Sequence, residues 1–272
     1  MRHFFSILTV AFCATTLIAC KASLDDNEAG TMGLSTDGSS LSFLNQKPVL
    51  VVTGLTVEAT IAASFGTKSV SSGGNPAQLQ TLLSKYNSSN IRGVVSFGTA
   101  GGLDPSLQPG DVVVMSSVTE GGVTWNANSA LTAAIVDKIF KQAAGSFAVH
   151  QGPGASSSTS ILDAAGKTTL WNSTHTEVVD MESEIAAAFA AQNGLPFVAV
   201  RAVADPYNQS QPPASLVALM PDGSLNLSAI INSIATSPSQ IPDLWNVALQ
   251  TEAAFSSLTT VREAVDFGEV FP

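Results

Sequence analysis

Two short acidic segments hold the side chains of this chain best suited to chemistry. The first, residues 178–184 (VVDMESE), leads into an Ala-rich helical run and so places Met181 and Glu182 near a helix start. The second, residues 201–205 (RAVAD), ends an apolar run that is typical of a buried strand. Asp205 then follows the carboxyl end of that strand, where open α/β sheets bind their ligands. Two carboxylates in one crevice can bind a polyol and protonate a leaving group.

A third segment, residues 94–105 (VVSFGTAGGLDP), predicts a strand that runs into a Gly-rich turn. Glycines let the backbone pass close to a ligand and point N–H groups at an anion or a developing charge. Such turns are common after strands, so the segment is informative only together with the other two. Its candidate residues for binding an anion or a water are Gly98, Thr99, Ala100, Gly101 and Gly102.

These segments, with residues 212–226 (PPASLVALMPDGSLN), resemble the nucleoside phosphorylase/nucleosidase superfamily. The chain looks most like the hopanoid-associated phosphorylase group, thought to remove adenine from adenosylhopane. It is also similar to methylthioadenosine/S-adenosylhomocysteine nucleosidases. The likeness extends from about Pro48 to Val265 and implies a three-layer α/β/α sandwich with a mixed central sheet.

The resemblance also implies roles for single residues. Glu182 would bind the ribose 2′ and 3′ hydroxyls and Met181 would pack against the sugar. Asp205 would donate a proton to purine N7 as the glycosidic bond breaks. Glu58 would polarise an attacking water or contact the ribose, and Arg201 would support the site by pairing with an acid. Each has a structural alternative: helix-start acids for Glu182 and Glu58, core filling for Met181, a turn for Asp205, and a structural ion pair for Arg201.

The acceptor of the sugar, phosphate or water, is left open by the sequence. Phosphorylases of this superfamily commonly bind phosphate with arginines, but Thr60 and Ser96 occupy the two expected positions. Residues 71–74 (SSGG) offer only hydroxyls and N–H groups to an anion. These departures favour hydrolysis, with phosphate retained as a candidate co-substrate. No other cofactor is expected, and no metal, because no pair of histidines has ligand spacing.

Composition limits the partners. The formal net charge is −10 over 272 residues, which argues against nucleic-acid and anionic membrane surfaces. With 45% hydrophobic and 12% charged residues, the chain can bury a sizeable core. We therefore expect a small-molecule purine nucleoside as ligand, membrane contact only through a lipid anchor, and a homo-oligomer by analogy with relatives.

The first residues have the features of an export signal. Met1-Arg2-His3 precedes an apolar run that is too short for a comfortable membrane span. Residues 17–20 (LIAC) match the bacterial lipobox, which would make Cys20 the lipidated first residue; an ordinary signal peptide or an uncleaved anchor are the alternatives. We expect a signal peptide at 1–20, a flexible tether at 21–47 and the folded domain at 48–272, in an exported bacterial lipoprotein facing the periplasm.

Apolar strand-like runs alternate with helix-like runs after Pro48, as in a sheet covered on both faces. Strands are predicted at 49–52, 91–97, 112–115 and 197–204, and helices at 57–65, 75–86, 130–144, 225–234 and 243–258, with a loop at 156–160. The pattern lacks the G-x-G-x-x-G turn of dinucleotide-binding domains and the G-x-S-x-G elbow of α/β-hydrolases. The expected function is cleavage of the N-glycosidic bond of an adenine-type purine ribonucleoside. The alternative is an exported nucleoside-binding protein without turnover.

Overall fold

A computed structural model describes residues 46–218, 220 and 226–272. Lys47–Pro272 form one compact unit. The predicted signal peptide, Cys20 and all but the last residues of the tether lie outside the described residues, so the expectations for the N-terminus remain predictions. Within the described ranges, none of the helices has the length and apolar character that crossing a bilayer requires.

The strands and helices alternate through most of the domain. The strands are β1 Val49–Thr53, β2 Thr67–Ser71, β3 Gly93–Gly102, β4 Val112–Glu120, β5 Val123–Asn126, β6 Val149–Ser156, β7 Val178–Asp180 and β8 Phe197–Asp205. The helices are α1 Thr56–Ala62, α2 Pro76–Ser84, α3 Ser129–Ala143, α4 Ala164–Thr174, α5 Ser183–Gln192, α6 Pro213–Leu216, α7 Leu227–Thr236, α8 Ile241–Ala264 and α9 Phe267–Val270.

The central sheet is mixed. Its strand order is β2-β1-β3-β7-β6-β4-β5, and β8 pairs with both β3 and β4. The β8 strand is parallel to β3 and antiparallel to β4, while β7 is antiparallel to β3 and parallel to β6. These pairings close strands β3, β8, β4, β6 and β7 into a ring, so the carboxyl ends of β3, β7 and β8 meet at one place.

Both faces of the sheet are covered, which explains why its strands are continuous apolar runs. In β1, Val49 and Val51 join one core with α1, α3 and α8, whereas Leu50 and Val52 join a second core with α2 and α5. Successive side chains of a strand point to opposite faces, so each face needs its own apolar set. The predicted α/β class and mixed central sheet are confirmed.

The Gly-rich segment differs from its prediction. Residues 98–102 belong to β3, whereas the sequence predicted a turn there. The backbone of this stretch pairs along β8, with an irregularity between Ala100 and Gly101. A short turn was the wrong prediction because glycines lower strand propensity in isolation, while a paired neighbour on each side of β3 holds this stretch extended.

Candidate active site

The predicted catalytic and ribose-binding residues line a single cavity. It has a volume of about 340 Å³ and lies where β1, β3, β6, β7 and β8 end. Its lining includes four acids and, among the described residues that form it, no basic side chain. The acids are Glu58, Asp180, Glu182 and Asp205; Met181, Thr99, Ala100 and Gly101 also line it. A second depression of about 390 Å³, between β5 and α5, is lined by no ionisable residue and offers nothing for acid or base chemistry.

Glu58 enters this cavity from the first turn of α1, and its carboxylate is buried. One oxygen, Oε2, accepts hydrogen bonds from the N–H groups of Gly54 and Leu55, each 2.9 Å long. The other, Oε1, accepts from the N–H and the hydroxyl of Thr99, each 2.8 Å long. A carboxylate offers about four acceptor positions, so all of them have a partner here. Glu58 therefore both caps α1 and joins α1 to β3.

Glycine at position 98 makes this arrangement sterically feasible. A Cβ on Gly98 would lie 2.6 Å from Oε2 of Glu58, a distance that real Cβ atoms essentially never show. The carboxylate thus lies against bare backbone and reaches the Thr99 N–H. The N–H group that the sequence assigned to an anion or water is in this state bound to a protein carboxylate.

Glu182 lies at the start of α5, as expected, and is buried. Its Oε1 accepts a 2.9 Å hydrogen bond from the hydroxyl of Ser72, and Gly54 leaves room for its carboxylate, which a Cβ there would approach to 3.1 Å. Burial raises the pKa of Glu182 to about 7; neighbouring Asp180 and Glu58 add to the rise, while Arg201 and Ser72 oppose it. Glu182 is thus set to change charge near neutral pH.

Met181 lies beside Glu182 in the cavity lining and is half-buried. Its sulfur accepts a 3.2 Å hydrogen bond from the hydroxyl of Ser160, on the segment that follows β6. This contact places a flexible apolar side chain on the cavity wall next to the carboxylate. The position fits the predicted packing against a sugar better than it fits core filling.

Arg201 lies beneath the cavity and is fully buried. Its Nε is 2.8 Å from Oδ2 of Asp180, and its Nη1 is 3.6 Å from Oε2 of Glu182. The guanidinium also donates to the hydroxyls of Ser96 and Ser183. Arg201 therefore offsets the charge of two acids, an arrangement compatible both with the predicted supporting role and with a structural ion pair. Ser96, one of the two positions at which the resemblance led us to expect arginine, is one of its partners.

Asp180 fixes the backbone that presents Glu182. Its Oδ1 accepts from the N–H groups of Glu182 and Ser183, at 3.0 and 2.8 Å. The hydroxyl of Ser183 donates to its Oδ2. Asp180 is part of the DMES motif but was given no role from the sequence, although aspartates commonly accept hydrogen bonds from backbone N–H groups a few residues on.

Asp205 reaches the cavity from the end of β8, and its carboxylate forms an ion pair that the sequence did not predict. Lys167 of α4 lies with its Nζ 2.6 Å from Oδ2 of Asp205. Oδ1 of Asp205 is buried without a hydrogen-bond partner in the described structure. Burial raises the pKa of Asp205, while Lys167 and Gln211 oppose the rise. A lone lysine on a helix carries no sequence signal that links it to an acid 38 residues later.

The arrangement can perform acid-assisted cleavage. Asp205 is an acid with one unsatisfied oxygen, and Glu182 is a carboxylate that can accept hydrogen bonds from hydroxyl groups. Glu58 is a third carboxylate, held by backbone N–H groups. In the parts of the chain that the structure covers, no three His, Cys, Asp or Glu side chains are grouped so that they could hold a metal ion.

Solved structures with the same fold include nucleosidases and a futalosine hydrolase. One is a mutant MTAN of Helicobacter pylori with 5′-methylthioadenosine in the active site (12% identity, TM-score 0.54, covering 80% of this chain and 99% of that one). Another is the Neisseria meningitidis 5′-methylthioadenosine/S-adenosylhomocysteine nucleosidase with methylthio-immucillin-A (18% identity, TM-score 0.55, covering 79% of this chain and 97% of that one). A third is the futalosine hydrolase of H. pylori (12% identity, TM-score 0.55, covering 80% of this chain and 98% of that one).

At these identities the three structures establish a shared fold. No curated protein matches the sequence significantly. The family comparison extends to the sequence itself, because a model described as the phosphorylase superfamily matches residues 44–235. This match covers more than half of the chain and agrees with the family predicted from the DMES and RAVAD segments. The protein therefore belongs to the phosphorylase superfamily.

Proposed function

We propose that this protein cleaves the N-glycosidic bond of an adenine-type purine ribonucleoside and releases the free base. The observation that carries the proposal is the cavity in which Glu58, Glu182 and Asp205 lie together with no basic side chain in its described lining. Neighbours of the same fold are described with 5′-methylthioadenosine and an immucillin bound, which supports a nucleoside as ligand. The volume of about 340 Å³ is at the lower end of the range for small-molecule sites.

In this mechanism Glu182 binds the ribose. Its carboxylate accepts hydrogen bonds from the two vicinal hydroxyls, and Met181 packs against the sugar. As the glycosidic bond breaks, the sugar gains positive charge, so contacts to a negative carboxylate strengthen in the transition state. Arg201 and Asp180 hold the carboxylate in place. Because the pKa of Glu182 is raised to about 7, this contact is stronger above neutral pH than below it.

Asp205 protonates the leaving base. Asp205 lines the cavity, and its buried Oδ1 has no hydrogen-bond partner that a ring nitrogen would have to displace. The electrons of the C1′–N9 bond pass to the purine, which takes a proton at N7 and leaves as the neutral base. Burial keeps the pKa of Asp205 above its ordinary value, which suits a proton donor.

Water is the acceptor in this proposal. Two unit charges about 4 Å apart interact by roughly 4 kcal/mol at an effective dielectric constant of about 20, so several carboxylates repel a phosphate dianion strongly. The buried cations Lys167 and Arg201 are both bound to acids. Residues 71–74 do not replace them: the Ser71 hydroxyl is bonded to Leu55 O and that of Ser72 to Glu182.

Glu58 activates this water. Three of its four donors are backbone N–H groups with fixed directions, whereas the Thr99 hydroxyl can rotate. A water that replaces the Thr99 hydroxyl on Oε1 would donate to Glu58 and direct its lone pair at C1′. The proton that the water loses passes to Glu58 and then to solvent, which balances the proton gained by the base.

An assay of base release tests this proposal. The protein is incubated with purine and pyrimidine ribonucleosides, including 5′-substituted adenosines, and the released base is quantified. We expect adenine-type bases to be released and pyrimidines to be retained. Glu182→Gln is the matched variant, since it keeps the size of the side chain and removes its charge. Tight nucleoside binding with no base released by folded protein would favour the binding-protein alternative.

We also propose where the protein is located in the cell and which group its substrate carries at the 5′ position. The cationic start, the apolar run and residues 17–20 (LIAC) support export and lipidation at Cys20. The resemblance to the hopanoid-associated group would place a large apolar substituent at the 5′ position. A homo-oligomer and anchoring by lipid alone complete the proposal for partners.

A further inference from the structure

Lys167 is a fully buried lysine whose three donor positions are all used. Its Nζ donates to Oδ2 of Asp205, and to the carbonyl oxygens of Pro206 and Gln209 at 2.9 and 3.0 Å. These contacts tie α4 to the end of β8 and to the turn after it. Lys167 thereby fixes one oxygen of Asp205, while the other, Oδ1, is buried without a hydrogen-bond partner.

Few charged groups act on Lys167 and Asp205. The groups that act on Lys167 are Asp205 and Asp163, the latter at the exposed start of α4. The charged group that acts on Asp205 is Lys167, with the amide of Gln211 beside it. An ionised pair at this depth would leave Asp205 negative, and a negative carboxylate cannot donate a proton to a base. Either Asp205 is not the acid, or its proton comes from its partner.

Burial brings the two proton positions closer in energy. It lowers the pKa of Lys167 below its ordinary value and raises the pKa of Asp205 above its own. Moving a proton from the nitrogen of Lys167 to the oxygen of Asp205 therefore costs less here than in water. Groups in such close contact are expected to titrate as a unit.

We propose that Lys167 is a positioning residue that loads Asp205 with the proton transferred to the leaving base. This inference rests on the proposed function. As the C1′–N9 bond breaks and its electrons move to the purine, Lys167 Nζ passes one of its three protons to Asp205, and Asp205 passes that proton on to N7. Lys167 is left as a neutral amine beside a negative Asp205, and solvent returns one proton to the pair after the base departs.

The test is the pH dependence of turnover in full-length Lys167→Met. In the unaltered protein, activity is lost at high pH when the pair gives up its last proton. Without Lys167, Asp205 alone holds that proton and loses it at lower pH, although burial still raises its pKa. We expect the alkaline limb of kcat to move to lower pH, with the ratio of unaltered to variant turnover growing about tenfold per pH unit along the limb. A uniform fall in kcat at every pH would overturn the proposal.

Lys167→Arg separates proton supply from simple ion pairing. Arginine keeps the positive charge but does not release its proton in proteins. We expect this variant to bind substrate within a few-fold of the unaltered protein and to lose about 10²–10⁴-fold in turnover, the range for general acid catalysis. Recovery of full turnover by arginine would show that Lys167 acts by charge alone.

A measurement without turnover completes the test. The ¹³C shift of the Asp205 carboxyl and the ¹⁵N shift of Lys167 Nζ can be followed with pH in the unaltered protein. We expect both signals to change with one shared midpoint. Two independent midpoints would overturn the proposal even if Lys167→Met failed to fold. If no nucleoside released a base, the proposed function would fail, while the shared midpoint would still establish or exclude the paired proton.

Discussion

The carboxylate of Glu58 lies against the backbone of Gly98, in space that any side chain at position 98 would occupy. A Cβ would fall within 2.6–2.8 Å of the Glu58 carboxyl atoms. Because this contact lets Glu58 accept from the Thr99 N–H, the helix start and the central strand are joined at the cavity. The Gly-rich segment thus serves as a place of close approach within a strand.

Gly98→Ala should displace Glu58. The added methyl cannot be accommodated without moving the carboxylate, which breaks its bonds to Thr99. We expect a loss of about 1–3 kcal/mol in the free energy of unfolding, as for overpacking, together with a large loss of turnover. Urea unfolding and the base-release assay measure the two effects. The control is Gly98→Ala in a Glu58→Ala background, where the stability loss should shrink; an equal loss in both backgrounds would contradict the contact.

Asp205→Asn should abolish proton donation. We expect turnover to fall about 10²–10⁴-fold, while substrate affinity changes little. The structure adds a stability cost, because Lys167 is left buried without its counter-charge, and breaking such a pair typically costs about 3–5 kcal/mol. Circular dichroism should therefore confirm folding before kinetics.

A matched control for Asp205→Asn is an acid outside the cavity. Asp137→Asn changes an exposed acid of α3 that pairs with exposed Lys141 and is not part of the cavity lining. Its turnover should equal that of the unaltered protein. Native turnover in folded Asp205→Asn would remove Asp205 from the mechanism.

Glu182 should make stability depend on pH. Its pKa is raised in the folded state, from 4.5 to about 7, so the unfolded chain ionises first as pH rises. Between about pH 4.5 and 7 the folded state therefore loses stability relative to the unfolded state, by about 3 kcal/mol in total for this group. Below pH 4.5 both states are protonated and the penalty is absent.

Glu182→Gln should remove this dependence. Urea unfolding at about pH 5 and about pH 7.5 compares the two proteins, and the difference between the two pH values should be smaller in the variant. The variant should also impair both substrate binding and turnover, since the hydroxyl contacts exist in the ground state and in the transition state. An identical pH dependence in the two proteins would show that Glu182 ionises normally in the fold.

The prediction for the N-terminus concerns Cys20. If Cys20 is lipidated, Cys20→Ser should move the protein from the membrane fraction to the soluble fraction. Fractionation with immunoblotting and mass spectrometry of the native N-terminal peptide measure this. An unchanged distribution, with no acyl group on Cys20, would leave simple secretion.

The sequence predicted the buried strands β1, β3, β4 and β8 because their residues are continuously apolar and covered on both faces. It did not predict β6, whose Gly-Pro-Gly stretch resembles a turn, nor β7, whose three residues are too short to show a period. Those strands extend because neighbours pair with them. This is tertiary information that a local pattern does not contain.

Three of the four acids of the site were predictable because helix starts and strand ends mark them in the chain. Glu58, Glu182 and Asp205 all lie at such points. Lys167 was not predictable, because its importance comes only from burial opposite Asp205. Arg201 was expected to pair with an acid, but the identity of its two acidic partners required the fold.

The fate of the sugar in H₂¹⁸O distinguishes hydrolysis from phosphorolysis and from binding without turnover. The protein is incubated with the nucleoside it cleaves best, with and without phosphate, and both products are identified by mass spectrometry. We expect free base and ribose carrying ¹⁸O at C1′, with at most a modest rate increase from phosphate. No base released from any nucleoside, or ribose 1-phosphate as the sole sugar with strict dependence on phosphate, would contradict this expectation.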